Sequence, residues 1–178
     1  KIINKQAKID ILINNAGKLH SEPLISITSK QKRHSLENWK KTIETNLTAP
    51  FLMTSYIAEE MINNRIKGVI INISSISAKG NIGQSAYSAA KAGLESMTKV
   101  WAKELGSFGL RCVALAPGFI DTNSTYKALT NSKLKNIKQQ IPLKELGNTK
   151  DISEAVKFLI QNDYMNGKTL NIDGGLTI

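Results

Sequence analysis

Three features of this 178-residue sequence predict an α/β fold, a parallel sheet covered by helices on both faces. Short β-branched runs alternate with longer stretches of helical periodicity, in the order strand, helix, strand, helix, strand, helix, strand. The runs are almost continuously apolar, as strands buried on both faces are. Each run stops at small or polar residues: Asn14-Asn15-Ala16-Gly17, Ser74-Ser75, Pro117-Gly118 and Asp173-Gly174-Gly175. Ligands of open α/β sheets sit beyond the carboxyl ends of the strands, and such residues let backbone approach a ligand there.

The first strand is predicted over 9–13, where Ile9-Asp10-Ile11-Leu12-Ile13 runs into the turn residues 14–17. Residues 18–35 are polar and irregular, with Pro23 and the basic cluster Lys30-Gln31-Lys32-Arg33-His34, and predict a long loop. Ser35 before Glu37-Asn38-Trp39 is a helix N-cap with an acidic first turn, opening a helix over 36–64 that bends near Pro50. The second strand covers 69–73 and stops at Ser74-Ser75. A small-residue loop over 77–85 precedes a helix over 86–105, ended by Gly106 and Gly109. The third strand covers 110–116 and is cut off by Pro117. Residues 121–147 predict short helices and a mobile loop with amphipathic positions Tyr126, Leu129, Leu134 and Ile137. A helix over 149–161 and a strand over 169–172 complete the pattern. Trp39 and Trp101 read as packing residues. No repeat, low-complexity segment or linker divides the chain.

Composition narrows the function classes. With 41% hydrophobic and 21% charged residues, the chain is that of an ordinary globular domain. No apolar stretch approaches the roughly 20 residues that cross a bilayer, and the start Lys1-Ile2-Ile3-Asn4-Lys5 lacks the apolar core of a secretory signal. The lone Cys112 forms no internal disulfide, and one cysteine with His20 and His34 is a poor basis for a metal site. A cytoplasmic protein without metal is the expectation. The net charge of +10 comes from scattered lysines without interleaved aromatics, so a solvated surface is expected rather than a nucleic-acid or membrane partner.

The chemistry is carried by Tyr87-Ser88-Ala89-Ala90-Lys91. Tyr and Lys four apart at a helix start share one face. A phenol titrates near 10, too high for a proton shuttle at neutral pH, and a neighbouring ammonium favours the phenolate. Tyr87 is thereby a candidate general acid or base. The spacing alone is also that of a surface pair. Its context is more specific: Asn72-Ile73-Ser74-Ser75 upstream, Pro117-Gly118-Phe119-Ile120-Asp121-Thr122 downstream, with Asn14-Asn15-Ala16-Gly17 and Asn46-Leu47 before both.

Together, from about residue 9 to Gly175, these motifs resemble the short-chain dehydrogenase/reductase family. Gly80-Asn81-Ile82-Gly83-Gln84 and Ala116-Pro117-Gly118-Phe119-Ile120 are most similar to its 3-oxoacyl-(acyl-carrier-protein) reductase-like branch, an enzyme of fatty acid metabolism. The resemblance implies a Rossmann-type three-layer fold and an NAD(P)-dependent oxidoreductase. Such an enzyme reduces a carbonyl, a 3-oxoacyl thioester among the candidates, or oxidises a secondary alcohol. Tyr87 would be the acid/base, Lys91 would hold the nicotinamide ribose and lower the tyrosine pKa, and Asn46 would anchor a water linking Lys91 to solvent. A serine would bind the substrate oxygen. Strand register puts it at Ser75, whereas the family's spacing back from Tyr87 gives Ser74. Register is preferred, because loops change length more readily than strands slip. Asn14, Ala16 and Gly17 match the segment lining the adenosine side of the cofactor. Pro117, Gly118, Ile120 and Thr122 match the segment meeting the carboxamide, and 121–147 match the substrate lid. A homodimer or homotetramer is implied, through apolar positions such as Phe51, Met53, Leu94, Met97 and Trp101 on the two long helices.

The family's glycine-rich first turn, which receives the pyrophosphate at a helix N-terminus, has no counterpart here. The expectation is therefore one domain over 1–178, the C-terminal part of a doubly wound domain lacking its first segment of roughly 70 residues. Strand 9–13 would then present an apolar edge. NAD cannot be told from NADP by residues in this chain. The basic cluster at 30–34 borders the expected substrate mouth, so an anionic carrier-bound substrate is an option. A non-catalytic fragment or interaction module on the same half-fold is the alternative; the intact set Asn46, Ser75, Tyr87 and Lys91 speaks against it.

Overall fold

The computed structural model describes residues 8–28 and 31–178; Lys30 of the basic cluster and the stretch 1–5 lie outside the described residues. Four parallel strands lie side by side in chain order: β1 Ile11–Asn14, β2 Val69–Ile73, β3 Arg111–Pro117 and β4 Thr169–Ile172. Ile70 pairs with Cys112 and Ile71 with Val113 across the centre of the sheet. Because successive side chains point to opposite faces, one strand serves two cores. Ile70 and Cys112 pack with Ile57, Met61, Leu94 and Trp101 on one face. Val69, Ile71, Val113 and Leu115 pack with Ala155 and Leu159 on the other. The result is three layers: helices α1 Leu36–Ile43, α2 Ala49–Asn63 and α3 Ser85–Leu105, then the sheet, then α6 Thr149–Gln161. Two short helices, α4 Asn123–Ala128 and α5 Asn131–Gln140, follow β3.

Local chemistry explains most boundaries. Ser35 caps α1, its hydroxyl accepting from the Asn38 N–H at 3.3 Å. Asn148 and Asp151 form a reciprocal capping box on α6. Gly109, at φ +80°, makes the left-handed turn into β3. Buried Cys112 has its thiol pushed up to about 12 by burial, so it acts as a small core residue.

Three expectations are corrected. The helix over 36–64 is not merely bent near Pro50 but interrupted just before it, by a π-turn over Glu44–Thr48. Pro50 has no N–H for the carbonyl four residues back, which is that of Asn46, so the α-helical ladder must break there. The third strand runs through Pro117, which pairs with Ile172 at the end of the ladder, where a missing donor is tolerated. Leu94 is fully buried in the core and offers nothing to a partner subunit, whereas Phe51 and Met53 are exposed. Trp101 is buried, and Trp39 packs edge-on against His34 while remaining partly exposed.

β1 forms an edge of the sheet among the described residues, with Ile11 and Ile13 each 41% exposed. The 18–35 loop folds back on itself, with Ile25 bridging antiparallel to Arg33. It is pinned to the segment before α3 by the Glu22 N–H on the Gly83 carbonyl at 2.7 Å. No helix among the described residues is long and apolar enough to cross a membrane.

Candidate active site

The end of β2 and the first turns of α3 meet at one place. Tyr87 is the third residue of α3 and Lys91 lies one turn further along the same face. The Tyr87 phenol faces the Ser75 side chain, which pulls its pKa down against the larger, upward effect of burial. Ser75 caps the short 3₁₀ turn Ile76–Lys79, its hydroxyl accepting from the Ser77 N–H at 3.1 Å, so its rotamer is fixed by backbone. The neighbouring Ser74 is turned into the protein: buried, it donates to Glu95 Oε1 at 2.7 Å and lies 3.4 Å from the Lys91 carbonyl. Of the two serines left open by the sequence, Ser75 is the one beside the phenol. Glu95 belongs to no motif; only its position two turns beyond Tyr87 on the same face signals it.

Lys91 is buried, its Nζ donating to the Ile73 carbonyl at 2.7 Å and standing 5.7 Å from the centre of the Tyr87 ring. Burial pulls its pKa down to about 8. Burial also pushes the Tyr87 phenol up, against an opposing pull from the Ser75 hydrogen bond. The expected lowering of the phenol by Lys91 is therefore not the dominant effect here. The ammonium is directed at the Ile73 carbonyl, and burial outweighs the hydrogen bond to Ser75.

Asn46 sits in the π-turn with no exposed surface. Its Oδ1 accepts the Lys18 N–H at 3.2 Å, while Nδ2 donates to the carbonyls of Lys18 and Thr42, both at 2.9 Å. Gly17 lies between this amide and Lys91. A Cβ on Gly17 would fall 2.8 Å from Asn46 Oδ1 and 3.6 Å from Lys91 Nζ, so only glycine lets the end of β1 come this close. Asn46, Gly17, Lys91, Tyr87 and Ser75 thus form one group. Asn14 faces inward, its Nδ2 donating to Thr54 Oγ1 at 3.0 Å and Asn72 Oδ1 at 2.8 Å, so its amide is spent on holding the sheet together. Ala16 is exposed at the same strand end.

The 117–122 segment leaves the next strand end. Gly118 donates to the Ile172 carbonyl at 2.8 Å, and a Cβ there would meet the Asp173 backbone at 2.8 Å. Ile120 bridges to Gly147, which closes the base of the 121–147 excursion. Thr122 caps α4, its hydroxyl accepting from the Thr125 N–H at 3.3 Å. Within that excursion Leu134 is buried and Ile137 packs with Ile76, Ile141 and Leu176, while Tyr126 stays half-exposed. No cluster of three or more His, Cys, Asp or Glu side chains that could hold a metal ion occurs among the described residues.

Comparison with known proteins places this geometry in context. A family described as enoyl-(acyl carrier protein) reductase matches residues 1–177. The chain is 38% identical to 3-oxoacyl-(acyl-carrier-protein) reductase FabG of Thermotoga maritima, covering all of this chain and 70% of that protein. It is 41% identical to FabG of Chlamydia pneumoniae, with 99% of this chain and 69% of that protein covered. It is 37% identical to human (3R)-3-hydroxyacyl-CoA dehydrogenase over 93% of this chain and 62% of that protein. A crystal structure of a candidate 2-deoxy-d-gluconate 3-dehydrogenase from Agrobacterium tumefaciens, with bound NADP, superposes with a TM-score of 0.84 at 36% identity. That alignment covers 93% of this chain and 66% of the other. The chain thus spans about two thirds of the length of these relatives.

Proposed function

This chain belongs to the short-chain dehydrogenase/reductase family of NAD(P)-dependent oxidoreductases, and on that premise we propose that it carries the proton-transfer centre of a carbonyl reductase, with a 3-oxoacyl thioester as the favoured substrate. The observation that carries this reading is the grouping of Ser75, Tyr87 and Lys91 at one strand end, with Lys91 Nζ 5.7 Å from the Tyr87 ring centre. A reduced nicotinamide, when bound, supplies the hydride. The residues present fit such a cofactor. Lys91 carries three N–H donors, of which the Ile73 carbonyl takes one, leaving donors for a ribose diol.

In reduction, Tyr87 gives its proton to the substrate oxygen as negative charge develops there, and Ser75 donates a second hydrogen bond to the same atom. Lys91 holds its positive charge beside the phenolate that remains. Reprotonation of Tyr87 is assigned to the region of Asn46, whose amide holds the π-turn and the Lys18 backbone beside Lys91. Ala16 and Gly17 line the adenosine side in this reading, over Asn14, which holds the strand end from beneath through Thr54 and Asn72. Pro117, Gly118, Ile120 and Thr122 border the carboxamide. The chain is read as the C-terminal part of a single doubly wound domain, assembling as a homodimer or homotetramer through exposed apolar residues of α2 such as Phe51 and Met53, and acting in the cytoplasm on a small or carrier-bound substrate.

The test is loss of absorbance of NADPH or NADH at pH 7 with a 3-oxoacyl thioester. Tyr87→Phe is expected to lower kcat by at least roughly 10²-fold, the low end of what positioned proton transfer contributes, while cofactor binding followed by fluorescence stays intact. Retained turnover in that variant overturns the assignment.

A further inference from the structure

Residues 87, 91 and 95 stand at successive turns of one face of α3, and they face Ser75, Ile73 and Ser74, the last residue of β2 and the two after it. Tyr87 faces the Ser75 side chain, Lys91 Nζ donates to the Ile73 carbonyl at 2.7 Å, and Glu95 Oε1 accepts from the Ser74 hydroxyl at 2.7 Å. The first two contacts belong to the site already described. The third does not touch the reacting atoms, yet it restrains the residue adjoining Ser75. Ser74 is 3% exposed and its N–H is fixed on the Leu115 carbonyl at 2.7 Å, so its hydroxyl has little freedom to find another partner. A hydroxyl donating to a carboxylate is among the stronger side-chain hydrogen bonds.

We propose that Glu95 is a positioning residue for the reduction: by binding the Ser74 hydroxyl it ties the end of β2 to α3 and so sets the Ser75 hydroxyl against Tyr87. The proposal rests on the reading of Tyr87 and Ser75 as the reacting pair. The Ser74 N–H on the Leu115 carbonyl holds the strand end in the plane of the sheet, and Lys91 Nζ on the Ile73 carbonyl holds it against the helix. The Ser75 hydroxyl and carbonyl accept from the Ser77 and Ala78 N–H groups, so Ser75 moves as one unit with the 3₁₀ turn. Rotation about the 74–75 peptide is what carries that unit toward or away from the phenol. The Ser74–Glu95 bond blocks that rotation. A misplacement of about 1 Å at a reacting group can cost as much as 10²-fold in rate, so the bond acts on kcat rather than on substrate affinity.

The experiment compares Glu95→Ala, Glu95→Gln, Ser74→Ala and the Ser74→Ala/Glu95→Ala double variant in the full-length protein, with Tyr87→Phe as control. Glu95→Ala and Ser74→Ala are each expected to lower kcat about tenfold with KM nearly unchanged. The double variant loses no more than either single change, because both remove one bond. Glu95→Gln, whose amide oxygen still accepts from Ser74, recovers most of the rate. Thermal melting of each variant accompanies the kinetics. Wild-type kcat in Glu95→Ala overturns the proposal, and so do additive losses or failure of Gln to rescue. If Tyr87→Phe itself keeps its turnover, the underlying assignment fails instead, so the two failures are separable.

Discussion

The side-chain amide of Asn46 grips the backbone of Lys18 from both sides, accepting its N–H at 3.2 Å and donating to its carbonyl at 2.9 Å. The same Nδ2 also donates to the Thr42 carbonyl one turn back, so the amide bridges the π-turn and the turn after β1. Its orientation is dictated by these partners, since Nδ2 faces two carbonyls and Oδ1 faces an N–H.

This makes Asn46→Asp an informative isosteric change. It keeps the acceptor toward Lys18 N–H but sets a carboxylate oxygen against two carbonyls. At pH 7 we expect a loss of about 2–4 kcal/mol in stability, as for an unsatisfied, charged buried group. Urea unfolding measures it. A loss within error of zero means that the amide is not holding the turn.

The space at Gly17 gives a second prediction. A methyl there meets Asn46 Oδ1 at 2.8 Å, and that amide cannot yield because all its contacts are backbone. Gly17→Ala is expected to destabilise by about 1–3 kcal/mol. Because the methyl would also lie 3.6 Å from Lys91 Nζ, turnover should fall even when the remaining folded fraction is corrected for. Unchanged kcat per folded molecule argues that Gly17 serves packing alone.

Lys91 predicts a pH dependence with two readouts. Its pKa of about 8 in the folded protein lies below the ordinary lysine value of 10.5, so between these values the unfolded chain binds more protons. Stability therefore rises with pH across that window, by up to about 3 kcal/mol for the full span. Lys91→Met removes this rise, and at pH 7 it is expected to be no less stable than the parent, since a buried charge is gone. Activity moves the other way: the parent's kcat for reduction falls as pH rises through about 8, where the ammonium beside Tyr87 is lost. Urea unfolding and rate profiles from pH 7 to 9.5 test both. A flat rate profile contradicts the role given to the ammonium.

How much of this was legible in the sequence depends on whether a signal is local. Helix α6 and strand β4 stand where the capping pair Asn148–Asp151 and the apolar run at 169–172 put them. The break in the helix over 36–64 was legible only as a bend near Pro50; the bonds of Asn46 to Lys18 that anchor it cross 28 positions of the chain. Spacing from Tyr87 favoured Ser74 and strand register favoured Ser75, and the direction of each side chain, toward Glu95 or toward Tyr87, agrees with register. Glu95 and Leu94 illustrate the same limit. On a helix a carboxylate resembles a solvated charge and a leucine resembles an interface residue, until packing shows what each faces.

Asn72 was hidden for a similar reason, inside the otherwise apolar run Val69–Ile73. Its Oδ1 accepts from Asn14 and its Nδ2 donates to Thr98 Oγ1 at 2.9 Å, while Thr98 donates to the Leu94 carbonyl at 2.8 Å. With Asn14 also donating to Thr54, a buried polar chain runs from α2 through β1 and β2 to α3. Asn72→Leu fills similar space but strands groups on both sides. A loss of about 2–4 kcal/mol is expected, read by urea unfolding. A stable variant means that the chain is dispensable.

Arg111 holds the opposite end of the sheet, and its contacts separate stability from catalysis. At the start of β3, its Nη1 donates to the carbonyls of Leu159 at 3.0 Å and Met165 at 3.3 Å, and Nη2 to that of Ile160 at 2.8 Å. These carbonyls lie in the last turn of α6 and just beyond it, where a helix leaves acceptors unpaired, and the planar guanidinium reaches three of them at once. Asp163 also approaches Nη2, at 3.5 Å, but its side chain is 97% exposed. Arg111→Lys, with one compact ammonium, cannot span the three acceptors and is expected to cost about 2 kcal/mol or more. Asp163→Ala should change stability by less than about 0.5 kcal/mol, as exposed ion pairs do. Both variants should keep the parent's kcat, because Ser75, Tyr87 and Lys91 lie at the carboxyl end of the sheet. Thermal melts paired with turnover decide the point: a fall in kcat with Arg111→Lys at temperatures where it stays folded means that the two ends of the sheet are coupled.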